Sequence, residues 1–304
     1  MFSRMFTRGA QTDAGPVVSA CWLALAAFAS VALSSCGDAP SSFLREGRLP
    51  IYNFPMYASY GGTTGGVFRC ETRDYTSCQR FPNSTTVLND PQGIASDNFK
   101  NIWVVEKGTG RLLRFREGSS DYTVCVTGLQ SPSAVALDSF NQIYVSQDTP
   151  KNIVQVDCDL HTISSTPFQT YTAVVTGFVF GVDDFLTVTL DNDTVRFGEG
   201  ASAQVSTVVT QPTNVSVDSS GRFYVGEGVG GGLGKVYRFN QDGTTYESIA
   251  SGLSSAFGIA VDAGEDIYFV EQGANAVELI HNGGASQPFL GSIPSPAYIV
   301  MTRY

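Results

Sequence analysis

Apolar and polar positions along this chain fall into short runs separated by turn residues. In residues 255–280, SAFGIAVDAGEDIYFVEQGANAVELI, an apolar run from Phe257 to Val261 ends in Asp262. The turn Ala263-Gly264-Glu265-Asp266 leads into a second run, Ile267 to Val270, which ends in Glu271. A Gly-containing loop then leads to a third run, Ala276 to Ile280. Apolar runs of this length bounded by turn residues predict three short strands of one small antiparallel sheet.

The same phrase recurs. PQGIASDNFKNIWVVEKGTGRLLRF begins at Pro91, SPSAVALDSFNQIYVSQDTPKNIVQVD at Ser131, and QPTNVSVDSSGRFYVGEGVGGGLGKVYRF at Gln211. Asp97 to Asp138 is 41 residues, Asp218 to Asp262 is 44, and Asp138 to Asp218 is 80, or two periods. The intervening copy, VTGFVFGVDDFLTVTLDNDTVRF from Val175, keeps three strands with a shortened first turn. A period near forty with about four short strands per unit is the pattern of a β-propeller, whose blades bury their faces against one another.

The two ends predict how the ring closes. PMYASYGGTTGGVFRCETRDYTSCQRF, from Pro55, aligns as a blade lacking its first strand, and PSPAYIVMTRY, from Pro294, supplies a lone first strand. The expectation is an all-β, six-bladed β-propeller of four-stranded antiparallel blades over residues 51–304. The C-terminal strand completes the first blade and removes the open edges.

The N-terminal residues follow another pattern. Arg4 and Arg8 precede a nearly unbroken apolar run, Val17 to Leu33, the layout of a secretory signal over residues 1–35. Leu33-Ser34-Ser35-Cys36-Gly37 resembles the bacterial lipobox. That resemblance implies cleavage before Cys36, lipidation of Cys36, and palmitate-type acyl chains as the membrane anchor, each buried CH2 contributing about 0.8 kcal/mol. Residues 36–50 read as a polar tether, and Gly37 after the cysteine points to the outer membrane of a bacterial cell envelope.

The chain carries a net charge of −10, and loss of two arginines and one aspartate with the signal brings it to about −11. An acidic surface gains nothing from counterion release, so nucleic acid is not an expected partner, and the membrane is reached only through the lipid. Once Cys21 and Cys36 are set aside, Cys70, Cys78, Cys125 and Cys158 remain, an even number suited to disulfides in an exported protein. Four cysteines allow three pairings. Cys70 and Cys78 flank a predicted turn, which leaves Cys125 for Cys158. The competing zinc reading lacks a CxxC or a nearby histidine.

The repeated Pro-x-Gly-Ile-Ala-x-Asp followed by Ile-Tyr-Val resembles NHL-type propeller repeats and the wider calcium-dependent phosphotriesterase superfamily with its gluconolactonase-like (SMP-30-type) members. In such lactonases an Asn and an Asp before first strands, with a Glu, hold a divalent metal. The matching positions here are Gln92, Ser133, Thr213, Phe257 and Ala297, none a carboxylate, and Asn214 is shifted by one residue. The related lyases lean on channel histidines, whereas His161 and His281 fall away from the predicted mouth. No catalytic residue is therefore assigned.

Glu106, Asp148, Glu227 and Glu271 follow the second strands of four blades. They are the candidate metal ligands, a ring of carboxylates at the channel mouth suited to Ca2+. The opposing possibility is that they accept backbone N–H groups of their own loops. The recurrent Trp103, Tyr144, Tyr224 and Tyr268 are expected to pack between blades. Together these readings describe a binding or interaction module whose ligand at the mouth is a small molecule, a glycan or a protein. A metal-dependent hydrolase and a structural envelope lipoprotein stand as alternatives.

Overall fold

The structure, a computed structural model, describes residues 55–302 apart from 71–77 and positions 84, 118, 120, 282 and 292. The predicted signal, Cys36 and the tether lie outside the described residues.

Six antiparallel sheets follow one another around a ring. The first blade joins Pro296–Met301 to Met56–Tyr60, Gly66–Cys70 and Cys78–Phe81, so the last strand of the chain is the innermost strand of the first blade. The second contains Pro91–Ser96, Ile102–Glu106, Arg111–Phe115 and Tyr122–Thr127. The third contains Pro132–Leu137, Ile143–Gln147 and Asn152–Asp157, with an outer edge split into Thr162–Ile163 and Gln169–Thr170. The fourth, built from the degenerate repeat, contains Val175–Phe180, Leu186–Leu190, Thr194–Phe197 and Gln204–Ser206. The fifth contains Pro212–Val217, Phe223–Glu227, Gly234–Phe239 and Tyr246–Leu253, and the sixth Ala256–Val261, Ile267–Glu271, Ala276–Ile280 and Ser286–Leu290.

The core lies between blades, as the alternation of apolar residues on both faces of each sheet requires. One apolar cluster fills each of the six junctions. Trp103 of the second blade packs with Val135, Ile143 and Val145 of the third, and Tyr224 of the fifth packs with Ile259 and Phe269 of the sixth. Phe115, Phe239 and Phe269 are fully buried, each burial contributing roughly 1.5–3 kcal/mol. Innermost strands of neighbouring blades approach so closely that a Cβ on Gly258 would lie 2.5 Å from Tyr298 Cα. Only glycine fits there.

Both predicted disulfides form. Cys70–Cys78 closes the third and fourth strands of the first blade, while Cys125–Cys158 joins the outer strand of the second blade to the end of the third strand of the third.

Candidate functional site

The expected carboxylate ring does not assemble. The Glu106 side chain is almost fully buried. One of its oxygens accepts the Asn89 N–H at 2.8 Å, and the other accepts Arg111 Nε at 2.6 Å and the Thr109 hydroxyl. Glu227 accepts the Thr210 N–H at 2.9 Å, and Glu271 accepts the Ser254 N–H at 2.7 Å. The third blade uses Gln147 on Gln130 and the fourth Asp191 on Val174. In all five blades the acceptor stands 17 residues after the donor. In these five blades the side chain at the end of the second strand pins the loop that enters its own blade, so at least one of its oxygens is committed to a backbone N–H.

Asp148 sits one residue past this register. Its carboxylate meets Lys107 Nζ of the second blade at 2.7 Å and the Ser131 hydroxyl at 3.3 Å. Among the described residues no group of three or more His, Cys, Asp or Glu side chains is arranged to hold a metal ion. Calcium prefers six to eight oxygens, and these residues do not fit it.

Polar side chains at the mouth end of the inner strands are spent on joining blades. Ser133 donates to Val175 O at 3.2 Å, Thr176 to Pro212 O at 2.6 Å, and Thr213 to Ala256 O at 2.6 Å. Ser59 donates to Gln92 O at 2.7 Å, and Gln272 Nε2 to Pro296 O at 3.3 Å. The Lys107–Asp148 pair completes the circuit at the junction of the second and third blades. Ser133 and Thr213 thus hold the next blade's backbone where a lactonase would hold metal. Gln92 donates its amide to Asp90 at 2.8 Å.

The opposite face is built from the turns between first and second strands. Asp97 accepts the N–H groups of Phe99 and Asn101 and the Trp103 indole N–H at 3.1 Å. Asp138 does the same for Phe140, Gln142 and the Tyr144 hydroxyl, and Asp218 for Ser220, Arg222 and the Tyr224 hydroxyl at 2.9 Å. The recurring aromatic residues do pack between blades, and their polar ends also close these turns.

The channel is blocked near the predicted mouth. Tyr298, on the innermost strand of the first blade, donates its hydroxyl to Thr176 O of the opposite, fourth blade at 2.7 Å. Burial, with the Asp148 charge behind it, pushes this phenol's pKa well above the usual tyrosine value. Below this bar the innermost strands of all six blades enclose a cavity of about 390 Å3 that opens at the turn face. Asn214 and Ala134 line it at the level of Tyr298, and Asp97, Asp138 and Asp184 line it among the turns.

Sequence reading missed Tyr298 and singled out Asn214 only as an amide one residue off the compared metal position, not as a channel residue. The signal was present: the third residue of the first strand is Gly93, Ala134, Gly177 and Gly258 in four blades, but Asn214 and Tyr298 in the other two. Both histidines are away from the channel. His161 contacts Cys125 O at 2.7 Å and His281 contacts Asp266 at 2.8 Å.

No protein-family model and no curated protein matches the chain. Solved structures do. A chain of the nidogen/laminin complex is 15% identical, with a TM-score of 0.68 over 82% of this chain and 98% of that one. A streptogramin B lyase is 16% identical, with a TM-score of 0.58 over 83% and 93%. A catalytically inactive virginiamycin B lyase from Staphylococcus aureus, with quinupristin, is 16% identical, with a TM-score of 0.57 over 83% and 94%. At these identities the likeness concerns the propeller fold.

Proposed function

We propose that this chain is an exported binding module of the bacterial cell envelope, a six-bladed propeller of NHL-like type held at the membrane by lipid on Cys36. In this reading residues 1–35 are the signal and 36–50 the tether. The observation that carries the binding reading is the use already made of the mouth's polar groups. The carboxylates at the ends of the second strands hold their own loops, and hydroxyls near the start of the first strands hold neighbouring blades. A site so committed to the scaffold supports recognition by shape and surface better than metal-assisted hydrolysis. The fold accommodates both protein assembly, as in the nidogen/laminin complex, and lyase chemistry, as in the streptogramin B lyase.

Thermal melting across a calcium titration tests the reading, because a ligand selective for the folded state must raise Tm. A flat Tm up to millimolar calcium is expected. A saturable rise would move the assignment to a lactonase-like hydrolase. For the anchor, Cys36→Ala should shift the protein from the membrane to the soluble fraction, and persistent membrane association would remove the lipoprotein assignment.

A further inference from the structure

We propose that the turn-face half of the central channel is a binding cavity for a small organic cation, such as a quaternary ammonium compound, entering from the face opposite the predicted mouth. This rests on the binding-module reading and adds to it the site and the class of ligand.

The cavity has a defined floor, wall and opening. Tyr298 closes the floor through its bond to the fourth blade. Its volume, about 390 Å3, lies within the 300–1,000 Å3 typical of small-molecule sites. The wall mixes polar and apolar surface, and Tyr298 at the floor is the aromatic side chain that reaches across it.

One polar group at the floor lacks a partner. Asn214 is only 9% exposed and lines the cavity. Its Oδ1 accepts the Val215 N–H at 2.6 Å, and its amide nitrogen has no hydrogen-bond partner among the described residues. A donor that lines the cavity without a protein partner favours a ligand that brings an acceptor, such as an ester, ether or carbonyl oxygen.

Charge at the opening has one sign. Asp97, Asp138 and Asp184 line the cavity there, and no described Lys, Arg or His does. The bases on neighbouring turns are paired, Lys100 with Glu117 and Arg222 with Asp218 and Glu265. Field lines from these carboxylates concentrate at a low-dielectric opening and attract a cation.

The opening is also held in shape. The Asn98 N–H donates to Asn141 Oδ1 at 3.2 Å, linking the turns of the second and third blades, and the Ser139 N–H donates to Asp184 at 2.9 Å, linking the third and fourth. On these tied turns Phe99 and Phe140 stand 74% and 75% exposed.

The test uses the mature chain and three probes matched in size: benzyltrimethylammonium, benzyl alcohol and benzenesulfonate, titrated at low salt by calorimetry. The cation should bind saturably and at least tenfold more tightly than the sulfonate, with benzyl alcohol between them. Ser216→Trp, which fills the cavity, should weaken cation binding at least tenfold. Asp184→Asn should weaken it roughly two- to fivefold, the scale of a partly exposed charge pair, without changing benzyl alcohol binding. Asparagine also tolerates the positive φ of 61° at that position.

No binding of the cation, equal binding of the sulfonate, or unchanged binding by a folded Ser216→Trp protein would overturn the proposal. If Ser216→Trp does not fold, Asp184→Asn decides alone, and an unchanged cation-to-sulfonate ratio overturns it. A failed titration beside a flat calcium melt discards this cavity and keeps the binding module. A calcium-dependent rise in Tm discards the module itself.

Discussion

The Tyr298 hydroxyl donates a 2.7 Å hydrogen bond to the Thr176 carbonyl oxygen, joining the first blade to the fourth across the channel. Tyr298→Phe keeps the ring and removes the donor, so it should cost about 1 kcal/mol in urea unfolding. Tyr298→Ala also removes a buried aromatic side chain and should cost about 3–5 kcal/mol. Equal costs for the two variants would mean that the hydrogen bond, and not the packed ring, holds the bar in place.

Stability should fall at both pH extremes, for identified reasons. Burial, followed by the hydrogen bond to Asp218 and its charge, pushes Tyr224 up to about 12, and burial followed by Asp138 pushes Tyr144 up to about 12. Both folded values exceed the unfolded value of about 10. Their contribution is therefore complete below pH 10 and is lost as pH rises from 10 towards 12. Asp218 behaves oppositely. Burial alone would raise it, but the backbone and guanidinium of Arg222 and the Tyr224 hydroxyl outweigh burial and hold it below the ordinary carboxylate value. Its contribution is complete above the unfolded value of about 3.9 and is lost as pH falls below it. Tm measured across pH should show both losses, and Tyr224→Phe should shrink the alkaline one.

The two disulfides should differ in weight. In the chain-entropy picture, the separation of 33 residues between Cys125 and Cys158 gives about 3.7 kcal/mol, against about 2.5 kcal/mol for the separation of 8 between Cys70 and Cys78. Replacing Cys125 and Cys158 with serine should therefore lower the denaturation midpoint further than replacing Cys70 and Cys78.

Closure by Pro296–Met301 makes the termini interdependent. Deleting residues 294–304 exposes the edge of Met56–Tyr60 and opens two apolar junctions, those of the first blade with the sixth and with the second. The shortened chain should lose its cooperative melt. A melt that stays cooperative near the full-length Tm would contradict ring closure.

The fold was legible because the features that encode it are local and repeated. Apolar runs bounded by Asp97, Asp138, Asp218 and Asp262 give the period, and the unmatched strand at Pro294 gives the closure. The site was less legible because a glutamate at a strand end looks the same whether it binds metal or accepts a backbone N–H. The distinction lay in spacing: the donor always precedes by 17 residues, which makes Gln147 rather than Asp148 the third blade's counterpart of Glu106. Tyr298 was harder still. Its partner, Thr176, lies 122 residues away in sequence and becomes a neighbour only when the ring closes.

The carboxylates at the strand ends serve the fold by holding the loops that enter their blades. The direct measurement is urea unfolding of Glu227→Gln and Glu227→Ala, in chelator and in millimolar calcium. Gln retains an acceptor for the Thr210 N–H and should cost well under 1 kcal/mol. Ala leaves that N–H unmatched and should cost about 1–3 kcal/mol, the same with or without calcium. Wild-type stability for both variants in chelator, with an equal loss for both in calcium, would contradict this role.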